Sequence, residues 1–153
     1  MTLNIWIKTQ RLIEDCNMQT SLDLQAMRAR GVETANAVYD DWVMTKENMP
    51  QISYILQDIC ANMAFALRTI LQSYNISSNG ISVDIENANA IDGDTTVVEG
   101  LLRQYIKCSL LAWWYHYRDA ELSKIHAESA AVTLDNLFTQ CIPRTGISVG
   151  RYF

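Results

Sequence analysis

The fold class this sequence predicts is all-α: a bundle of about four helices with one short β-strand or hairpin insertion and an extended C-terminal tail. Three observations carry that expectation. Apolar residues recur every three or four positions over four stretches, the spacing of one buried helix face. Only one stretch, Ile81 to Glu86, clearly alternates with the period of two of a strand. Chain breakers are few, with six glycines and two prolines in 153 residues. A chain of this length, 49% hydrophobic and 19% charged, builds one packed domain, residues 1–153, rather than two domains or a disordered polymer.

The first helix is expected over about Gln10 to Arg30, where Ile13, Cys16, Thr20, Leu24 and Met27 share a face and Gly31 supplies a C-terminal cap. An irregular segment, VETANAVYDDWVMT, follows. The clearest helix is expected over about Lys46 to Ser73, faced by Ile52, Ile55, Leu56, Ile59, Cys60, Met63, Leu67, Ile70 and Leu71. Thr45 can cap it, and Pro50 is tolerated in its first turn, where a backbone N–H has no helical acceptor. SYNISSNG then reads as a loop.

Behind that loop Ile81, Val83 and Ile85 alternate with Ser82, Asp84 and Glu86, one half-buried strand. It either pairs with a segment such as Leu3-Asn4-Ile5-Trp6-Ile7 or offers an edge to another copy of the chain. After the loop NANAIDGD, Thr95 or Thr96 opens a helix to about Tyr117 with Val98, Leu101, Leu102, Tyr105, Cys108, Ala112 and Trp113 on its face. From Leu110 to Tyr117 it is apolar nearly all round, so it needs cover on every side. Asp119 is a candidate N-cap for the last helix, which runs to about Cys141 with Leu122, Ile125, Val132, Leu137 and Phe138 facing inward. Pro143 stops it, and the tail, residues 143–153, is expected to be held extended against a neighbour.

Twelve Lys and Arg against seventeen Asp and Glu give a net charge of −5. Tight nucleic-acid binding draws on cations at phosphates, so an acidic chain is expected to be a poor tight binder of DNA or RNA, yet it is compatible with a wall past which a polyanion slides. The opening MTLNIWIKTQ lacks the basic and apolar regions of a signal peptide, so the four scattered cysteines are expected to be reduced and buried. The longest near-apolar run, Cys108 to Tyr117, is too short to span a bilayer, so no membrane is expected.

Searches for chemistry return negatives. His126-Ala127-Glu128 matches half of a zinc-deaminase signature, but the PCxxC half is missing, which leaves a surface histidine beside a glutamate. Asp92-Gly93-Asp94 with Glu99 mimics a calcium loop, but alanines fill its first and third positions. Neither His116 nor His126 has the Glu-x-x-His spacing of a di-iron bundle. No GxGxxG, Walker A or GxSxG motif occurs. Trp113, Trp114, Tyr115 and Tyr117 form an aromatic stripe with only Lys107 and Arg118 nearby, which favours packing over base stacking. No catalytic, cofactor-binding or metal set is expected, hence no enzyme and no cofactor.

The order of elements carries a resemblance. A long helix containing Asp58-Ile59-Cys60-Ala61-Asn62 precedes a single strand and an aromatic helix ending in Ala112-Trp113-Trp114-Tyr115. Then come Arg118-Asp119-Ala120-Glu121, an Ala-rich helix with Ala127-Glu128-Ser129-Ala130-Ala131, and an Ile-Pro-Arg tail. This plan resembles the helical head–tail connector (neck or adaptor) proteins of tailed bacteriophages, of the type found in phages of Bacteroidales, best over Ile106 to Arg144.

The resemblance implies a virion structural protein at the neck, made in the bacterial host cytoplasm. Its copies form a ring, commonly twelvefold, on the portal protein and beside other neck and tail proteins, and DNA passes through without sequence-specific binding. Connector tails can be strongly basic, whereas Arg144 and Arg151 stand isolated here. The expected interface residues are Ile81, Val83 and Ile85 on the strand, Trp113 and Trp114 on the aromatic helix, and Arg144, Arg151, Tyr152 and Phe153 on the tail. The rival reading is a small-ligand-binding or regulatory helical bundle that uses the aromatic helix 110–117.

Overall fold

The computed structural model describes residues 1–31, 39–90 and 95–143. Its strands are β1 (Thr2–Lys8), β2 (Leu71–Ile76) and β3 (Gly80–Glu86), and its long helices are α1 (Thr9–Ala29), α2 (Met49–Ala66), α3 (Thr96–Tyr115) and α4 (Ala120–Cys141). A single helical turn, Tyr39–Trp42, and a 3₁₀ turn, Lys46–Asn48, lie between α1 and α2. The three strands form one antiparallel sheet in the order β1-β3-β2. The fold is therefore mixed α and β, which overturns the all-α expectation.

Two segments account for the correction. TLNIWIK alternates strictly, burying Leu3, Ile5 and Ile7 and exposing the residues between, and it pairs along all of β3 with Ile5 opposite Val83. Residues 67–76 were expected to continue a helix into a loop. Leu67, Ile70 and Leu71 are indeed buried, but a turn places them: α2 ends at Ala66 and the Ile70 N–H bonds the Leu67 carbonyl at 2.9 Å. Spacings of three and four fit a turn between helix and strand as well as another helical turn. β2 then pairs with β3, Tyr74 opposite Val83, with a bulge between Leu71 and Ser73.

β3 is thus the central strand. Ile81, Val83 and Ile85 are fully buried beneath the helices, flanked by β1 and β2 within the same chain. They belong to the core, not to a contact with another copy, because both sides of their strand already have partners. The sheet's other face is open and, apart from Trp6, carries polar side chains on β1 and β3: Asp84 accepts from the Asn4 amide at 2.6 Å and from the Ser73 hydroxyl at 2.9 Å. Those two bonds hold the Asp84 carboxyl below its ordinary range.

Local signals set several helix ends. Gly31 follows α1 with φ +80, a left-handed conformation that suits glycine. Pro50 sits in the first turn of α2, and the Asn48 side chain caps back onto the Thr45 N–H at 2.9 Å. α3 and α4 pack on each other across residues 116–119, with the Ser123 hydroxyl donating to the Ala112 carbonyl at 2.7 Å. Asp119 caps α4 by accepting from the Leu122 N–H at 3.0 Å. Asp119→Ala is expected to cost about 1 kcal/mol and to lower Tm by about 2–4 °C, read by thermal circular dichroism.

α4 turns a different face inward from the one its apolar spacing suggests. Leu122, His126, Ala130, Thr133, Leu137 and Cys141 are buried, whereas Ile125 and Val132 are exposed. The C-terminal end of α4 is tied to the turn after β3 by Asn89, whose amide donates to the carbonyls of Gln140 (2.9 Å) and Ile142 (2.6 Å).

Candidate functional site

Three places concentrate side-chain chemistry, beginning with a buried polar cluster where α1, α3 and α4 meet. Asp23 on α1 holds His126 on α4, with 2.9 Å between Oδ2 and Nε2. The Tyr115 hydroxyl of α3 donates across both Asp23 Oδ2 (3.0 Å) and Thr20 Oγ1 (2.9 Å), and Gln19 donates to Asp23 Oδ1 at 3.0 Å. The Tyr115 ring also packs at a tilt against those of Trp42 and His126, at centroid distances of 5.6 and 5.5 Å.

Burial alone pushes the His126 pKa down, but the Asp23 carboxylate, helped by Cys108, outweighs it and raises it to about 9. Burial likewise pushes Asp23 up, and its bonds from His126, Gln19 and Tyr115 bring it below the ordinary carboxylate value. The pair is charged at neutral pH. His126 is therefore not the surface histidine its sequence context predicts.

Cys108 approaches the same imidazole, and the Gln104 amide donates to its sulfur at 3.3 Å. A thiol, an imidazole and a carboxylate in series are the residue types of a nucleophilic centre. Here the cysteine is 2% exposed, on α3 within the core. The other three cysteines are also free and buried, their thiols pushed up by burial to about 12 for Cys16 and about 11 for Cys60 and Cys141. Among the described residues no group of three or more His, Cys, Asp or Glu is placed to hold a metal ion, and no helix is long and apolar enough to cross a membrane.

The second place is the corner between α3 and α4. Trp114 is 2% exposed and donates from its indole to the Trp42 carbonyl at 2.6 Å, so it is core rather than interface. One residue earlier and about 100° round the helix, Trp113 is 49% exposed. Tyr117 is 91% exposed and meets the His116 ring edge-on at 4.5 Å. Ala112, Trp113, His116, Tyr117 and Ser123 line a shallow hollow of about 390 Å³. Arg118 stacks over the Trp114 ring at 4.0 Å and bonds the Trp114 carbonyl at 2.7 Å, which fixes the corner.

The third place is a groove of about 820 Å³ where β1 runs into α1. Ile13, Met44 and Met49 supply apolar lining, Trp6 stands at the sheet side, and Lys8 and Lys46 add charge. Asn17 holds the far wall, its amide bonding the Met44 carbonyl at 3.0 Å and accepting the Met44 N–H at 2.8 Å. No motif pointed to this groove, because its residues come together only when β1 joins the sheet.

Of the residues expected at an interface, Trp113 is available, while Trp114, Ile81, Val83 and Ile85 are core. Arg144, Arg151, Tyr152 and Phe153, and the Asp92-Gly93-Asp94 turn, lie outside the described residues. No protein-family model matches the chain, no curated protein matches its sequence, and no solved structure matches its fold.

Proposed function

We propose that this chain is a non-enzymatic virion structural protein, a head–tail connector subunit that assembles into a ring, extends the portal DNA channel and offers the tail a docking surface. The observation that carries the reading is the exposure of large aromatic side chains at the α3–α4 corner, Trp113 on α3 and Tyr117 in the turn that follows it. Large aromatics left in water suit burial against a neighbour. The net charge of −5 supports a surface that DNA crosses without adhering. With β3 internal to the sheet, the subunit contacts fall to the helices and the rim rather than to that strand.

The test is native mass by light scattering at rising concentration, alone and beside the candidate portal protein. The expected result is a species many times the 17.4 kDa chain, shifted toward monomer by Trp113→Ser with Tyr117→Ser while the circular dichroism stays unchanged. A persistent monomer that ignores the portal overturns the reading. The 390 Å³ hollow at Trp113, His116 and Ser123 would then favour the small-ligand alternative.

A further inference from the structure

We propose that the exposed face of α4 in one copy seats in the groove beside Trp6, Lys8 and Lys46 of the next, a contact between two different surfaces of the same chain. The inference rests on the assembly reading and names the surfaces that would join the copies.

The helix side comes from spacing. Glu121, Ile125, Glu128, Val132 and Asp135 follow one another at intervals of four, three, four and three, which places them in one stripe along α4. All five are exposed, on the helix surface its own chain does not cover. The stripe alternates carboxylate and apolar side chain over four turns. None of its three carboxylates takes part in an ion pair among the described residues. A helix that only needed solubility would not require Ile125 and Val132 in water between them.

The groove side is complementary. Its apolar lining of Ile13, Met44 and Met49, with Trp6 as a wall, suits the branched side chains of the stripe. Lys8 and Lys46 are exposed and without a carboxylate partner among the described residues. One acid, Glu14, also lines the groove, where the Gln10 amide reaches it at 3.4 Å. Two lysines against one glutamate make this a locally basic site on a chain of net charge −5. Such a groove attracts an acidic helix, and its apolar lining favours one that also carries branched apolar side chains.

Groove and stripe occupy different parts of the chain, so each copy carries one of each. A head-to-tail contact of this kind closes into a ring or continues as a filament according to its angle. Association through it weakens as salt screens the carboxylate–lysine pairs.

The test is charge exchange on the full chain, read by sedimentation velocity at low and high salt. Lys8→Glu with Lys46→Glu, and separately Glu121→Lys with Glu128→Lys, are each expected to weaken self-association at least tenfold. Mixing the two variants in equal amounts is expected to restore it, because each then supplies the other's complement. All four substitutions lie on exposed residues, and the helix pair reads the contact even if the strand-end pair disturbs β1. If the wild type assembles and neither reversal weakens it, this contact is wrong and the assembly reading stands. A wild type that is monomeric alone yet binds the portal removes the contact and keeps the connector. One that does neither removes both.

Discussion

Replacing His126 with alanine is expected to lower the unfolding free energy by about 3 kcal/mol at pH 6, since removing one partner of a buried ion pair strands the other charge. Asp23 would keep its bonds from Gln19 and Tyr115 but lose its cation in a site that is largely shielded from water. The pH dependence identifies the cause. His126 has its folded pKa raised from 6.5 to about 9, so its contribution is fully present below about pH 6.5 and is lost as pH rises through about 9. Asp23 has its folded pKa lowered, so its contribution is present above its ordinary value of 3.8 and fails as pH falls below that value. The pair therefore stabilises most between roughly pH 4 and 6.5, and the gap between wild type and variant should narrow by pH 9.5. Urea unfolding at pH 6 and 9.5 reads both effects. An equal gap at the two pH values would show that the imidazole acts by packing rather than by charge.

Gly80→Ala is the second large effect expected, about 2–3 kcal/mol and a fall in Tm of about 5–10 °C. A Cβ on Gly80 would lie 2.4 Å from the Ile7 carbonyl oxygen and 2.7 Å from Trp6 Cζ2. The indole could swing away, because Trp6 is exposed, but the carbonyl belongs to the paired backbone of β1. Relief therefore requires β1 to move off the central strand. Gly100→Ala is the control: a Cβ there meets nothing within 4 Å and the residue lies inside α3, so stability should hold or rise by about 0.5–1 kcal/mol. Thermal melts of the two variants side by side decide the point, and a Gly80→Ala melt equal to the wild type would mean that the sheet yields there at little cost.

What could be read in advance divides along the range of the interactions. The bounds of α4 were legible because Asp119 and Pro143 act on their own neighbours in the chain. β1 was legible only as an option, since TLNIWIK alternates but its partner lies over seventy residues away. β2 was hidden because Leu67, Ile70 and Leu71 satisfy a helical spacing that a turn also satisfies. The choice between Trp113 and Trp114 was beyond a periodicity argument: an apolar run on every side does not say which side the core will occupy. The inward face of α4 was misassigned for a related reason. His126 and Thr133 are buried through partners that hydropathy does not register, the Asp23 carboxylate on α1 for one and the Ser129 carbonyl for the other. The groove by Lys8 and Lys46 joins three separate stretches of chain and left no local trace.

The pairing of β1 with β3 also sets a timetable. Ile7 sits opposite Ile81, so the strand made first must wait for residues synthesised 74 positions later. At about 5–20 residues per second that wait is about 4–15 s, during which the β2–β3 hairpin does not yet exist. Throughout it, Leu3, Ile5 and Ile7 form an apolar row with no strand to complete it. Thr2, Asn4 and the lysine at the strand's end are all that β1 itself offers against premature pairing on the ribosome. Slower elongation through α2 would lengthen that vulnerable interval, and aggregation of nascent chains would be its visible cost.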